Sequence, residues 1–245
     1  MSATPEQVKG KLLIVDDEAA IRWALKKTLQ NPNLEIVEAE TGEQAIALVR
    51  TVRFDAVLLD IGMPGMNGIE ACRRIRELMP LVGIVMLTVK NEEEDKIRAL
   101  DAGADDYITK PFHIRELAAR LRAIVRRAHA SQADDGASIK VGAIELDPAR
   151  RLVKRSGVAI YLTPKEFELL HFLMSHAGRP LTHARILAAV WGPEYGGELE
   201  YLRTFVRQLR KKLGDDAFSP KYLITEPRIG YRFSAELDFA TGGRA

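Results

Sequence analysis

Five short apolar runs in the first half of the chain alternate with longer amphipathic segments, and this alternation limits the fold more than any other feature. The runs are residues 11–15, 35–39, 56–59, 83–87 and about 107–109. Parallel strands need a crossover of a dozen or more residues between them, and a helix is the usual crossover. Five such alternations predict a doubly wound parallel sheet covered on both faces. The helices show their own signals. The first carries Ile21, Leu25 and Leu29 and stops at Asn31 and Pro32, Thr41 with Gln44 makes a capping box for the second, and the third runs over about 69–79. Glu92, Glu93 and Glu94 sit in the first turn of the fourth, where acids suit the macrodipole, and the fifth covers about 114–127.

In such a sheet the loops beyond the carboxyl ends of the strands are where chemistry collects. The stretch FDAVLLDIGMPG, residues 54–65, ends its strand on Asp60, just where Gly62, Pro64 and Gly65 force a loop. An Asp in this place also serves as a turn former. The other strand ends carry Asp16 and Asp17, Thr88 and Lys110. Three carboxylates on one edge repel each other unless a cation sits among them, and a hard divalent ion such as Mg²⁺ takes oxygen ligands. A hydroxyl and an ammonium beside them can bind phosphoryl oxygens. The set predicts a phosphoryl-transfer site with a carboxylate nucleophile.

The sequences IVDDE, LLDIGMPGMNG, MLT and GADDYITKPF resemble the receiver domains of two-component response regulators, over roughly residues 10–128. The resemblance implies that Asp60 is the phospho-acceptor and receives its phosphoryl group from a sensor histidine kinase. It implies Mg²⁺ held by Asp17, Asp60 and the backbone carbonyl of Gly62, with Asp16 acting through water. Thr88 and Lys110 would bind phosphoryl oxygens, the bond before Pro111 would be cis, and Tyr107 would turn inward when Thr88 is drawn to the phosphoryl group. Val89 stands where the family has a smaller residue. The chemistry implied is that of a phospho-acceptor with self-phosphorylation and slow autodephosphorylation, not of an enzyme acting on an external substrate. The stretch from Lys96 to Arg127 resembles the dimer surface of the OmpR/PhoB subfamily. It implies a homodimer on phosphorylation, through the fourth helix, fifth strand and fifth helix, with pairs Lys96–Glu116, Asp101–Arg122 and Asp106–Arg120 crossing between subunits.

Net charge is informative only when the chain is divided. Residues 1–128 hold 19 Lys and Arg against 20 Asp and Glu, whereas residues 139–245 hold 17 against 12. The basic excess makes nucleic acid a candidate partner of the second half. Residues 1–9 and 237–245 read as a disordered start and a tail, and HASQADDGAS, 129–138, as a flexible linker. Short strand-like pieces follow at 139–141, 143–146, 152–154 and 159–161. Thr163, Pro164 and Glu166 then give a strong helix start, and a second helix runs over about 183–191. The third helix, about 198–213, puts Leu202, Val206, Leu209 and Leu213 on one stripe and Arg203, Arg207, Arg210 and Lys211 on the other side. KYLITEPRIGYRF after it reads as a hairpin bearing Arg228 and Arg232.

Residues 139–236 resemble the winged-helix output domain of the OmpR/PhoB family in LTPKEFELL, VWG, LRKKL and GYRF. The fold class implied for the whole chain is α/β: a doubly wound, five-stranded, flavodoxin-like receiver domain at 10–128 and an α+β winged helix-turn-helix domain at 139–236. The resemblance implies contact with double-stranded promoter DNA through Arg203, Thr204, Arg207, Arg210 and Lys211 of the helix and Arg228 and Tyr231 of the wing. It admits RNA polymerase as a further partner. Most relatives have Gly where this chain has Arg228, so a turn needing positive φ would be strained or reshaped. YLRTFVRQLRKKL with KIRALDAGADDY is most similar to members that regulate potassium-transport operons.

Other outputs stay open on the residues alone. An aspartyl-phosphate phosphatase would need an acid that is absent two residues beyond Asp60, and no GxxxxGK loop is present. A receiver with a protein-contact or RNA-binding output remains the alternative to a DNA reader. His113, His129, His171, His176 and His183 show no metal spacing with Cys72, and Trp23 and Trp191 read as core. A single cysteine, an N-terminus without an apolar signal core and no apolar run of membrane-spanning length predict a cytoplasmic protein without a membrane partner.

Overall fold

The computed structural model describes residues 10–88, 93–113, 117–118, 120–121, 124–125, 137–193, 195 and 198–235. The chain divides into two compact units, Met1–Gln132 and Ala133–Ala245. Val89, Glu116, Arg122 and most of the expected linker and termini lie outside the described residues.

In the first unit the order is β1 (Gly10–Val15), α1 (Ala19–Leu29), β2 (Leu34–Ala39), α2 (Gly42–Thr51), β3 (Ala56–Asp60), α3 (Gly68–Leu78), β4 (Gly83–Thr88), α4 (Glu93–Asp101) and β5 (Asp106–Thr109). Residues 117–118, 120–121 and 124–125 are helical as well. The strands form one parallel sheet in the order β2-β1-β3-β4-β5, with Val15 beside Leu59, Asp60 beside Leu87 and Thr88 beside Thr109. The central strands β3 and β4 are buried along their whole length, as expected of strands covered on both faces. Leu12, Ile14, Leu58, Val85 and Leu87 of the sheet pack with Leu25 and Leu29 of α1 and with Leu117 and Leu121.

The helix starts follow their caps. Asn67 Oδ1 accepts from Glu70 N at 2.9 Å at the start of α3. At α2, Thr41 Oγ1 accepts from Gln44 N at 3.2 Å, but the Gln44 side chain reaches back to Glu40 N at 2.8 Å rather than to Thr41 itself. The predicted box therefore closes one residue early. Trp23 corrects a second expectation. It is 63% exposed on α1, and the Lys27 ammonium lies 4.8 Å from its ring centroid, so it adds nothing to the core.

The second unit opens with the antiparallel sheet β6 (Ile139–Val141), β7 (Ile144–Asp147), β8 (Leu152–Arg155) and β9 (Val158–Ile160). Helix α5 (Pro164–Ser175) starts on the predicted capping box, complete in both directions: Glu166 N donates to Thr163 Oγ1 and Thr163 N to Glu166 Oε2. After β10 (Leu181–Thr182) come α6 (His183–Val190) and α7 (Leu199–Leu213), then β11 (Leu223–Glu226) and β12 (Gly230–Phe233). The last three strands pair antiparallel in the order β10-β12-β11, a helix-turn-helix followed by a winged hairpin. Trp191 packs against Tyr201 and Phe205 with ring centroids 5.0 Å away in each case, so this tryptophan is core, as expected.

Candidate functional site

The first site is built at the carboxyl edge of the parallel sheet. Asp16 follows β1, Asp60 ends β3, Thr88 ends β4 and Lys110 follows β5, so adjacent strands deliver them to one place. Asp16 and Asp60 are buried, at 0% and 3% exposure, while Asp17 points to solvent. Lys110 Nζ donates to Asp16 Oδ2 at 3.1 Å and lies 2.7 Å from Asp60 Oδ1. Gly62 N donates to Asp60 Oδ2 at 2.8 Å, and Lys110 N to Thr88 O at 2.6 Å. The peptide bond from Lys110 to Pro111 is cis. Close packing fixes Asp60 from behind, because a Cβ on Gly68 would fall 2.0 Å from the Asp60 carbonyl oxygen.

Burial pushes the Asp60 carboxyl above its ordinary value; Lys110 and the Gly62 N–H act against this, and the Asp16 charge adds to it. For Lys110, burial acts downward, but Asp60 and Asp16 outweigh it and hold the ammonium above its ordinary value. The pocket is thus a desolvated carboxylate held against one cation. Among the described residues no three His, Cys, Asp or Glu side chains are grouped as a metal site. The donor chemistry nevertheless fits a hard divalent cation, since Asp16, Asp17, Asp60 and the Gly62 carbonyl offer only oxygen.

Two supporting residues carry no motif signal. Arg22, buried in α1, donates from Nη1 to Asp16 O at 2.8 Å and from Nη2 to Glu40 Oε1 at 2.7 Å. Glu43 in α2 accepts from Met66 N at 3.1 Å and so ties down the loop between β3 and α3. Its carboxyl is held below its ordinary value by backbone hydrogen bonding, with the Thr41 hydroxyl and Met66 N–H also contributing. An arginine five residues past an acidic pair and an acid two residues past an N-cap are the only sequence traces of these roles.

Farther along the sheet edge, Tyr107 is half-buried with the Lys96 ammonium 5.1 Å from its ring centroid. Arg120 Nη1 pairs with Asp106 Oδ2 at 3.3 Å within the same chain. Asp101 is exposed on α4.

The second site is the solvent side of α7 with the hairpin that follows. Tyr201, Leu202, Phe205, Val206, Leu209 and Leu213 are buried, and Arg203, Arg207 and Lys211 are exposed at a spacing of four residues, which makes one basic stripe. Arg203 pairs with Glu200 of the preceding turn. Arg228, at the tip of the hairpin, is exposed with φ 63, so the left-handed turn is kept and a non-glycine residue bears its strain.

Two family models match the chain. Residues 12–122 match the response regulator receiver domain, and residues 157–233 match the C-terminal region of transcriptional regulatory proteins. The KDP operon transcriptional regulatory protein KdpE of Escherichia coli K12 is 43% identical over 222 residues, covering 91% of this chain and 98% of that protein. The transcriptional regulatory protein KdpE of Mycobacterium tuberculosis CDC 1551 is 39% identical over 224 residues, with 91% and 99% covered. This chain belongs to the OmpR/PhoB response regulators. The crystal structure of DrrB, a Thermotoga maritima OmpR/PhoB homolog, agrees with that assignment at 30% identity and a TM-score of 0.51, covering 93% of this chain and all of that one.

As an OmpR/PhoB response regulator the chain joins a receiver domain to a DNA-binding transcriptional output domain. Both matches are regulatory, and neither is a catalytic domain. The receiver brings together Asp16, Asp60, Thr88 and Lys110 as expected. Three residues expected at the DNA surface are placed otherwise. Thr204 is buried, and its hydroxyl donates back to Glu200 O at 3.0 Å. Tyr231 is buried edge-on to His183, with ring centroids 5.6 Å apart; burial raises its phenol above the ordinary value while Arg210 and Arg203 act against that. Arg210 is half-buried and turned toward β11. For the two helix residues the cause is angular: Thr204 and Arg210 lie off the stripe of Arg203, Arg207 and Lys211, while Tyr231 sits on β12 and packs against His183.

Proposed function

We propose that this response regulator accepts a phosphoryl group on Asp60 from a sensor histidine kinase and passes the change to promoter DNA. The observation that carries the reading is the buried Asp60 carboxylate with Lys110 on one oxygen and the Gly62 N–H on the other. An Asp60 oxygen attacks phosphorus, the P–N bond of the kinase phosphohistidine breaks, and its electron pair returns to the imidazole. Lys110 stays within reach of the transferring oxygens and offsets their charge. Receiver domains of response regulators typically bind Mg²⁺ at the phosphorylation site. In this chain Asp17, Asp60 and the Gly62 carbonyl would hold it, with Asp16 beside them; when bound it supplies charge neutralisation at the phosphoryl oxygens.

The aspartyl phosphate then draws Thr88 toward it, and Tyr107 turns inward to follow. That shift favours a homodimer through α4, β5 and the helix after it, with Lys96–Glu116, Asp101–Arg122 and Asp106–Arg120 crossing between subunits. Arg203, Arg207 and Lys211 enter the major groove and Arg228 reaches the neighbouring backbone or minor groove. Two relatives carry the name KdpE, one of them named for the KDP operon, and this supports a potassium-transport operon as target. A cytoplasmic location follows from the DNA partner, and residues 129–138 serve as the tether between domains.

Incubation with labelled acetyl phosphate and Mg²⁺ tests the first step. Label retained by the wild-type chain and lost in Asp60→Asn is the expected result; label retained by Asp60→Asn removes Asp60 from the role.

A further inference from the structure

Five cationic side chains lie between Arg203 and Lys212, but only three form the exposed stripe. Lys212 is taken by Glu166, with Nζ 2.5 Å from Oε2. Arg210 is taken by the wing. Its Nε and Nη2 donate to Leu223 O at 3.2 and 2.6 Å, and Nη2 also donates to Thr225 Oγ1 at 2.9 Å.

The same strand is gripped a second time from the end of α7. Gly214 takes the left-handed conformation that ends the helix, and Asp215 N donates back to Arg210 O at 2.8 Å. The Asp215 carboxylate, itself buried, accepts from Lys221 N at 2.7 Å, Tyr222 N at 3.2 Å and Leu223 N at 2.8 Å. Leu223 therefore has its N–H bound by Asp215 and its carbonyl bound by Arg210. Among the described residues strand β11 pairs only with β12, so these two side chains occupy the edge that the sheet leaves open. The two-residue β10 secures β12 on one side, but β11 is the outer strand of the hairpin. Here it is locked to the helix that precedes it.

We propose that Arg210 is a positioning residue for DNA recognition: its guanidinium fixes the wing relative to α7 and does not itself contact DNA. The proposal rests on the DNA-binding reading above. A planar fork presents its donors in fixed directions and so sets the angle at which a carbonyl and a hydroxyl are held, whereas the rotating donors of an ammonium set no such angle. The spacing between the helix in one groove and Arg228 beside it is then set before DNA arrives, and less ordering is left to do on binding.

The test uses the full chain, with a labelled duplex selected by the wild-type protein from fragmented genomic DNA. Affinity is read across salt concentrations, and amide hydrogen exchange of 223–233 is read in the DNA-free protein. Arg210→Lys keeps the charge and removes the fork. Thr225→Val removes one acceptor and leaves α7 untouched. Both are expected to weaken binding, about five- to tenfold for Arg210→Lys, with the salt slope unchanged, and both speed exchange in the hairpin. Arg207→Ala, in the exposed stripe, is expected to lower the slope by about one and leave exchange alone. Wild-type affinity in Arg210→Lys combined with a slope lowered by about one in Arg210→Ala makes Arg210 a phosphate contact and overturns the proposal. So does unchanged hairpin exchange in both Arg210→Lys and Thr225→Val. Should the wild-type chain select no duplex, the DNA reading fails by itself, and the exchange measurement alone decides the lock.

Discussion

Lys110 stands between two carboxylates, and Asp60 is nevertheless raised by its burial. A carboxyl whose folded value lies above its unfolded one binds its proton more tightly in the native state, so stability falls as pH rises from the ordinary carboxylate value, 3.8, through the raised one. Above that window the ionised Asp60 opposes folding. Asp60→Asn is therefore expected to raise the melting temperature at neutral pH by a few degrees, about 2–6 °C, and to flatten the pH dependence in that window. Thermal scans in chelator-treated buffer check both. Arg228 carries a different strain. At φ 63 a non-glycine residue costs about 1–2 kcal/mol, and glycine returns roughly half of that gain through its freer unfolded chain. Arg228→Gly should stabilise the output domain by ~0.5–1 kcal/mol while weakening DNA binding and lowering its salt slope by about one, as titrations at several salt concentrations would report. Asp16, Asp60, Thr88 and Lys110 were legible in the sequence because each follows or ends an apolar run that must be a strand. Arg22 and Glu43 were not, because they act on backbone groups whose position only the fold supplies. That Thr204, Arg210 and Tyr231 engage their own domain was illegible for a related reason: a residue type suited to DNA says nothing about which way its side chain is already committed.

Strands and helices were largely readable, since the period of the apolar residues separates β3 and β4 from α3 and α7 without ambiguity. Trp23 escaped that reading because residue size suggested burial, whereas its place on α1 faces away from the residues that do pack, Leu25 and Leu29. Where an element begins matters most at α3. Gly68 lets the first turn press against the end of β3, and any Cβ there would sit 2.0 Å from Asp60 O and 2.8 Å from Ile61 Cα. Gly68→Ala must push α3 away from the carbonyl of Asp60, the proposed phospho-acceptor. We expect a loss of ~2–4 kcal/mol in denaturant titrations, together with slower labelling by acetyl phosphate in whatever fraction remains folded. An unchanged labelling rate in the folded fraction would mean that Asp60 keeps its geometry by other means.

One unit ends a parallel sheet in carboxylates and the other presents a basic stripe, and the proposed function has charge added at the first answered at the second. With beryllium fluoride and Mg²⁺ as a stand-in for the phosphorylated state, sedimentation should show monomer converting to dimer, and Arg120→Glu should abolish that conversion. The DNA side should be steeply dependent on salt, because every phosphate met by Arg203, Arg207 or Lys211 releases counterions. The dimer side should behave otherwise. Arg120 and Asp106 are already joined within one chain. If that pair crosses between subunits on association, two internal partnerships are exchanged for two external ones, and the tally of joined charges is the same before and after. Such a swap is isocoulombic at this pair: it can decide which surfaces match while adding little to how strongly ionic strength governs the assembly.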